Sequence, residues 1–126
     1  MDAMVLDTNI LIAYLAGEES VVEQLSEWKG SGEPLYLPTV VEAELLSFAK
    51  WTPSERRMAE VFLEQHFISI PFDRSTARIA AQIRRATRIA LPDAIIAAST
   101  FLAHSTLVTR DVTDFRKVPD LRMVTI

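Results

Sequence analysis

The 126-residue chain contains no cysteine. That excludes a disulfide framework, a thiolate metal site and a cysteine nucleophile, and makes the cytoplasm the natural compartment. Histidine is nearly absent too: His66 and His104 fall late in predicted helices, away from the strand ends, and read as surface or structural residues. No run is long and apolar enough for a bilayer. The longest nearly apolar stretch, "IALPDAIIAASTFLA", is shorter than a span, carries Asp93 and reads as a buried helix. The N-terminus lacks the basic-then-apolar layout of a signal peptide, and no linker, repeat or low-complexity segment interrupts the chain. Positive charge is not in excess: the net charge is −4 and the pI near 5.1, which at first sight argues against a nucleic-acid partner. One domain over residues 1–126, without a membrane segment, is expected, and at 49% apolar residues it has enough for a core.

Short apolar runs of strand type stand at Met4–Leu6, Leu35–Leu37, Ile68–Ile70, Leu107–Val108 and Met123–Ile126, with helical patterns in nearly every gap. That alternation predicts an α/β fold with a parallel sheet of about five strands covered by helices on both faces. "TPSE" at Thr52–Glu55 has a capping threonine, a proline in the first turn and a glutamate three residues after the cap, so a helix is expected to run from there to about His66. "TVVE" at Thr39–Glu42 repeats the capping-box spacing, and further helices are expected from Asp73 and from Pro92 or Asp93.

Carboxylates recur where strands end or helices begin: Asp7 after "MVL", Glu42 and Glu44 in "TVVEAELL", Asp93 in "ALPDAIIAA", and Asp111 with Asp114 in "LVTRDVTDF". Any one of them is explained as a helix-terminus acid. Two residues along a helix is a turn of about 200°, so Glu42 and Glu44 face apart. Glu42 has the capping-box position and reads as structural. Glu44 is flanked by Ala43, Leu45 and Leu46, where a charge is expensive without a partner, and reads as functional.

In a parallel sheet the carboxyl ends of the strands share one edge, which would bring Asp7, Glu44, Asp93 and Asp111 or Asp114 together. Two like charges 4 Å apart repel by about 4 kcal/mol at an effective dielectric of about 20, so such a cluster needs a cation. Carboxylate oxygens without cysteine or a nearby histidine suit Mg²⁺ or Mn²⁺ rather than zinc, and such a site would activate water and offset charge on a phosphate.

The segments "MVLDTNILIAYL", "LPTVVEAELL", "LPDAIIAAS" and "LVTRDVTDF" resemble, in order and spacing, the PIN domain, and among PIN domains the short toxins of VapC type. The resemblance covers essentially the whole chain. It implies a three-layer α/β sandwich, Mg²⁺- or Mn²⁺-dependent endoribonuclease activity, homodimers, and inhibition by a cognate antitoxin. By position, Asp7, Glu44 and Asp93 correspond to the family's first three acidic residues, and either Asp111 or Asp114 to the fourth. Thr8 and Asn9 resemble the polar pair that supports the first aspartate. Many relatives carry a glycine shortly before the third acid, where this chain reads "ATRIALPD".

Without the five candidate acids, 12 acidic residues face 13 basic ones, so the acidic pI is largely the site. On a helix starting near Arg74 and reaching as far as Arg88, residues Arg74, Arg78, Arg84, Arg85 and Arg88 would fall within an arc of roughly 120° opposite Ile79 and Ile83. This face is a candidate contact for RNA phosphates or for an acidic antitoxin segment. Two other readings compete. A phosphoacceptor domain of receiver type would use Asp73 after the third strand, but the first strand offers one acid where that chemistry wants a pair. A PIN scaffold kept only for protein binding would not need the complete acid set.

Overall fold

The structure is a computed structural model and describes residues 3–48 and 50–126. Five parallel strands form one sheet: β1 (Met4–Leu6), β2 (Leu35–Pro38), β3 (Ile68–Ile70), β4 (Thr106–Val108) and β5 (Met123–Val124), in the order β3-β2-β1-β4-β5. Among the described residues seven helices flank the sheet: α1 (Thr8–Leu15), α2 (Glu19–Gly30), α3 (Thr39–Leu46), α4 (Pro53–His66), α5 (Arg74–Thr87), α6 (Leu91–Leu102) and α7 (Val112–Phe115). The expected α/β architecture is the observed one.

The chain builds the sheet outward from β1 through β2 to β3, then crosses back and adds β4 on the other side of β1. The order therefore reverses between β1 and β4, and at such a switch point the carboxyl ends of two neighbouring strands open a crevice. Leu6 pairs with Val108, and the Asp7 amide donates to the Val108 carbonyl over 3.0 Å, so the residues that follow both strands, Asp7 and Thr109, face that crevice side by side.

All of β1 is buried, as "MVL" between two helical layers requires. Val5, Leu6, Leu107 and Val108 meet Ile10, Leu11, Val41 and Ile96 in one core. Helix α6 is buried from Ala94 to Thr100, and its two hydroxyl residues remain satisfied there: Ser99 and Thr100 donate back to the Ile95 and Ile96 carbonyls, at 2.8 and 2.9 Å. Its short, mostly small side chains let it lie against both α5 and α3. At the end of α1, Gly17 takes φ 77°, a left-handed turn that turns the chain toward α2.

The predicted cap of α4 is present: Glu55 N–H donates to the Thr52 hydroxyl at 3.1 Å, and Thr52 N–H to the Glu55 carboxylate at 3.0 Å. The analogous expectation at Thr39–Glu42 is not met. Strand β2 continues one residue further, to Pro38, which becomes the N-cap of α3 and offers no side-chain oxygen. Thr39 is the first helical residue, and its hydroxyl accepts the Phe72 N–H at 3.1 Å. Glu42 lies in the first turn without a capping-box role. Helix α6 likewise starts earlier than Pro92, with Ala90 at its cap. His66 does end α4, whereas His104 lies beyond α6 in a left-handed turn at φ 49°.

Candidate metal centre at the carboxyl edge of the sheet

Asp7 is 6% exposed. As the N-cap of α1 it accepts the Thr8 N–H at 2.8 Å; Asn9 Nδ2 lies at 3.3 Å and the Thr109 hydroxyl at 2.6 Å. Burial nonetheless raises its pKa above the ordinary aspartate value, against the pull of these three donors, and the neighbouring Asp111 raises it further.

Glu44 sits two residues beyond Glu42 and is half-buried. Its Oε1 accepts the Thr8 hydroxyl at 3.0 Å, which joins the middle of α3 to the start of α1. Asp93 is the third residue of α6, and no side chain caps that helix, so capping does not explain it. Four other carboxylates lie around it. Burial first, and then Asp7, Asp111, Asp114 and Glu44, together push its carboxyl up to about 6. Asp111 and Asp114 frame α7, and a ligand oxygen from each of Asp93, Asp111 and Asp114 lies within 4.8 Å of the other two. Burial and Asp114 also raise the Asp111 pKa. Lys117 approaches the group at 3.9 Å from Asp114, on the exposed side.

The structure thus gathers Asp7, Glu44, Asp93, Asp111 and Asp114 at one edge, with the two candidates for the fourth acid side by side. Asp73 stays apart from them. It caps α5, accepting the Thr76 N–H and hydroxyl, each at 2.9 Å, and hydrogen bonding holds its pKa down. That removes the residue a receiver-type phosphoacceptor would use.

The arginine strip is only partly realised. Arg74, Arg78, Arg84 and Arg85 lie on α5, and the helix ends at Thr87 with Arg88 as its cap at φ 62°. Arg84 donates to the Ile89 carbonyl at 2.6 Å and so closes the turn into α6.

Sequence reasoning missed Thr109. It is fully buried, donates to Asp7 and accepts the Asp111 N–H at 2.9 Å, so one hydroxyl ties the acid after β1 to the loop after β4. The signal was the matching position of Asp7 and Thr109, each the first residue after a three-residue apolar strand. Arg110 was missed too: its N–H donates to Asn9 Oδ1 at 3.3 Å, and its guanidinium pairs with Glu18 and donates to the Ile126 carbonyl.

The PIN-domain family model matches residues 4–121. The chain belongs to the PIN-domain family. Solved structures superpose on nearly all of it. A Rickettsia felis VapBC2 structure bound to a promoter DNA fragment matches with a TM-score of 0.85 at 21% identity, covering 98% of each chain. A Klebsiella pneumoniae toxin–antitoxin complex matches with a TM-score of 0.82 at 27% identity, covering 98% of this chain and 97% of that one. Neisseria gonorrhoeae FitAcB matches at 0.75 and 28%, covering 95% of each. No curated protein matches by sequence. Among the described residues of this PIN domain no helix is long and apolar enough to cross a membrane.

Proposed function

We propose that this PIN domain is a Mg²⁺- or Mn²⁺-dependent endoribonuclease of VapC type, the toxin of a toxin–antitoxin pair. The gathering of four carboxylates around Asp93 at the switch point, in a chain of this family, carries the reading. Four carboxylates raise the Asp93 pKa together, the arrangement that a bound cation would relieve. The donor set fits a hard metal: oxygens of Asp93, Asp111 and Asp114 lie in mutual reach, Asp7 and Glu44 act on Asp93 from beside them, and the chain has no cysteine. Asp7, Glu44, Asp93 and Asp114 would hold the ion, with Asp111 beside them. When bound, a divalent ion supplies water activation and charge neutralisation at the scissile phosphate.

The protein's own groups serve that chemistry by staying fixed. Three donors lock Asp7 in one orientation, and Thr8 holds Glu44 Oε1, leaving Oε2 to orient a water. The nearby hydroxyls of Thr8 and Thr109 are committed to carboxylates and leave the attack to solvent: a water oxygen would add to phosphorus, giving its proton to a carboxylate of the cluster, as the P–O bond of the RNA backbone breaks and the departing oxygen takes up a proton to leave as a hydroxyl.

A protein partner has a place to dock. An open apolar groove of about 610 Å³ on α4, lined by Met58, Val61 and Phe62 among others, leaves Met58 70% exposed. This suits an amphipathic segment of an antitoxin, in keeping with the toxin–antitoxin complex among the structural neighbours.

Incubating the purified protein with RNA tests the activity. Cleavage is expected with Mg²⁺ or Mn²⁺, none with EDTA, and none from Asp7→Asn or Asp93→Asn. Metal-independent cleavage, or full activity in Asp93→Asn, would refute the assignment.

A further inference from the structure

Where α5 gives way to α6 the surface opens into a pocket of about 550 Å³ lined by Ala81, Arg84, Arg85, Arg88 and Leu91. No acidic residue lines it, and among the described residues none of these arginines stands in an ion pair. Arg84 is tied to the Ile89 carbonyl, leaving Arg85 and Arg88 as the uncommitted charges. Arginines in a last turn complement the helix dipole, which accounts for Arg84 and Arg85. It does not account for Arg88, which holds a left-handed φ of 62° that is costly for any side chain bearing a Cβ.

Resting on the nuclease reading above, we propose that Arg85 and Arg88 hold a backbone phosphate of the RNA strand, on the flank of α6 opposite Asp93. Leu91 and Asp93 are the first and third residues of one helix, so they differ by about 3 Å along the axis and about 200° around it. A strand with its scissile phosphate at the acids and a phosphate about two nucleotides away in the pocket crosses the helix tip, about 10–12 Å wide, over the exposed Leu91 and Pro92. Leu91, 50% exposed, offers apolar contact to a base or ribose. The charge pattern also demands such a contact. A cluster of five acids repels a polyanion, and a compensating positive pocket on the same helix turn keeps the strand in place. An acidic protein segment fits less well, because the larger apolar groove lies elsewhere, on α4, and Leu91 is the one exposed large apolar residue lining this pocket.

The test measures binding of fluorescently labelled single-stranded RNA by anisotropy, in an Asp93→Asn background so that binding is read without cleavage. Adding Arg85→Ala with Arg88→Ala should weaken binding about tenfold at low salt and flatten the slope of log affinity against log salt by about 0.7, because one phosphate charge is no longer neutralised. Arg56→Ala with Arg57→Ala on α4 removes the same charge and should change neither. If alanine at 88 disturbs the turn, Arg85→Gln with Arg88→Gly keeps the left-handed conformation and should weaken binding equally. Equal effects of the α4 and α5 pairs would reduce the result to net charge and overturn the proposal. So would RNA binding that both α5 pairs leave unchanged. RNA cleavage by the unaltered protein, assayed separately, decides the nuclease reading.

Discussion

Replacing Asp93 by asparagine should make the metal-free protein more stable, and the gain should depend on pH. In the fold the Asp93 carboxyl is raised from 3.8 to about 6. A group whose folded pKa lies above its unfolded value binds its proton more tightly in the native state, so its charge costs stability once the pH exceeds the folded value. The cost is absent below the unfolded value, grows between about 4 and 6, and is complete above that. The full shift corresponds to about 3 kcal/mol, which solvent screening at this half-exposed carboxyl reduces to about 1 kcal/mol. For a domain of this size that is about 3–5 °C in Tm.

Thermal melts in EDTA at about pH 7.5 should show Asp93→Asn above the wild type by that amount, with the difference vanishing near pH 4. Millimolar Mg²⁺ should raise the wild-type Tm at neutral pH and leave the variant nearly unmoved, because binding to the native state alone stabilises it. An Asp93→Asn protein less stable than wild type at neutral pH would mean that Asp93 is a structural helix acid, and the argument from repulsion would fail.

Thr109→Val should cost about 1–3 kcal/mol in urea unfolding, because the Asp7 carboxylate and the Asp111 N–H both lose their partner, and Thr109→Ser should recover most of it. Thr52→Ala removes the capping box of α4 and should cost about 1 kcal/mol with RNA cleavage unchanged, since α4 lends no residue to the acid cluster. Glu42→Gln should leave urea stability within about 0.5 kcal/mol, because α3 has no capping box to lose. A loss near that of Thr52→Ala would show that the cap forms in solution after all.

How far the fold was legible depended on whether local chemistry acted alone. The strands and the α4 and α5 caps were readable because "MVL", "TPSE" and "DRST" settle their conformation within a few residues. The same spacing rule failed at Thr39: β3 and its following turn, more than 30 residues away, supply the Phe72 N–H that takes the threonine hydroxyl. Arg88 marks a local limit of another kind. The basic pattern continues to 88, but the helix stops at Thr87, whose hydroxyl turns back to the Ile83 carbonyl at 2.7 Å.

The acids were legible for a physical reason that also explains why Thr109 was not. A carboxylate after an apolar strand is conspicuous because burying it is costly, so its presence already asks for a purpose. A threonine in the same place is nearly silent, since it suits a strand end by its β-branched shape. Only the pairing of Leu6 with Val108 turns Thr109 toward Asp7, where it becomes the closest donor to the most buried acid of the cluster. The identities of the charged groups could therefore be read one residue at a time, whereas the group that orients them depends on the register between two strands about a hundred residues apart.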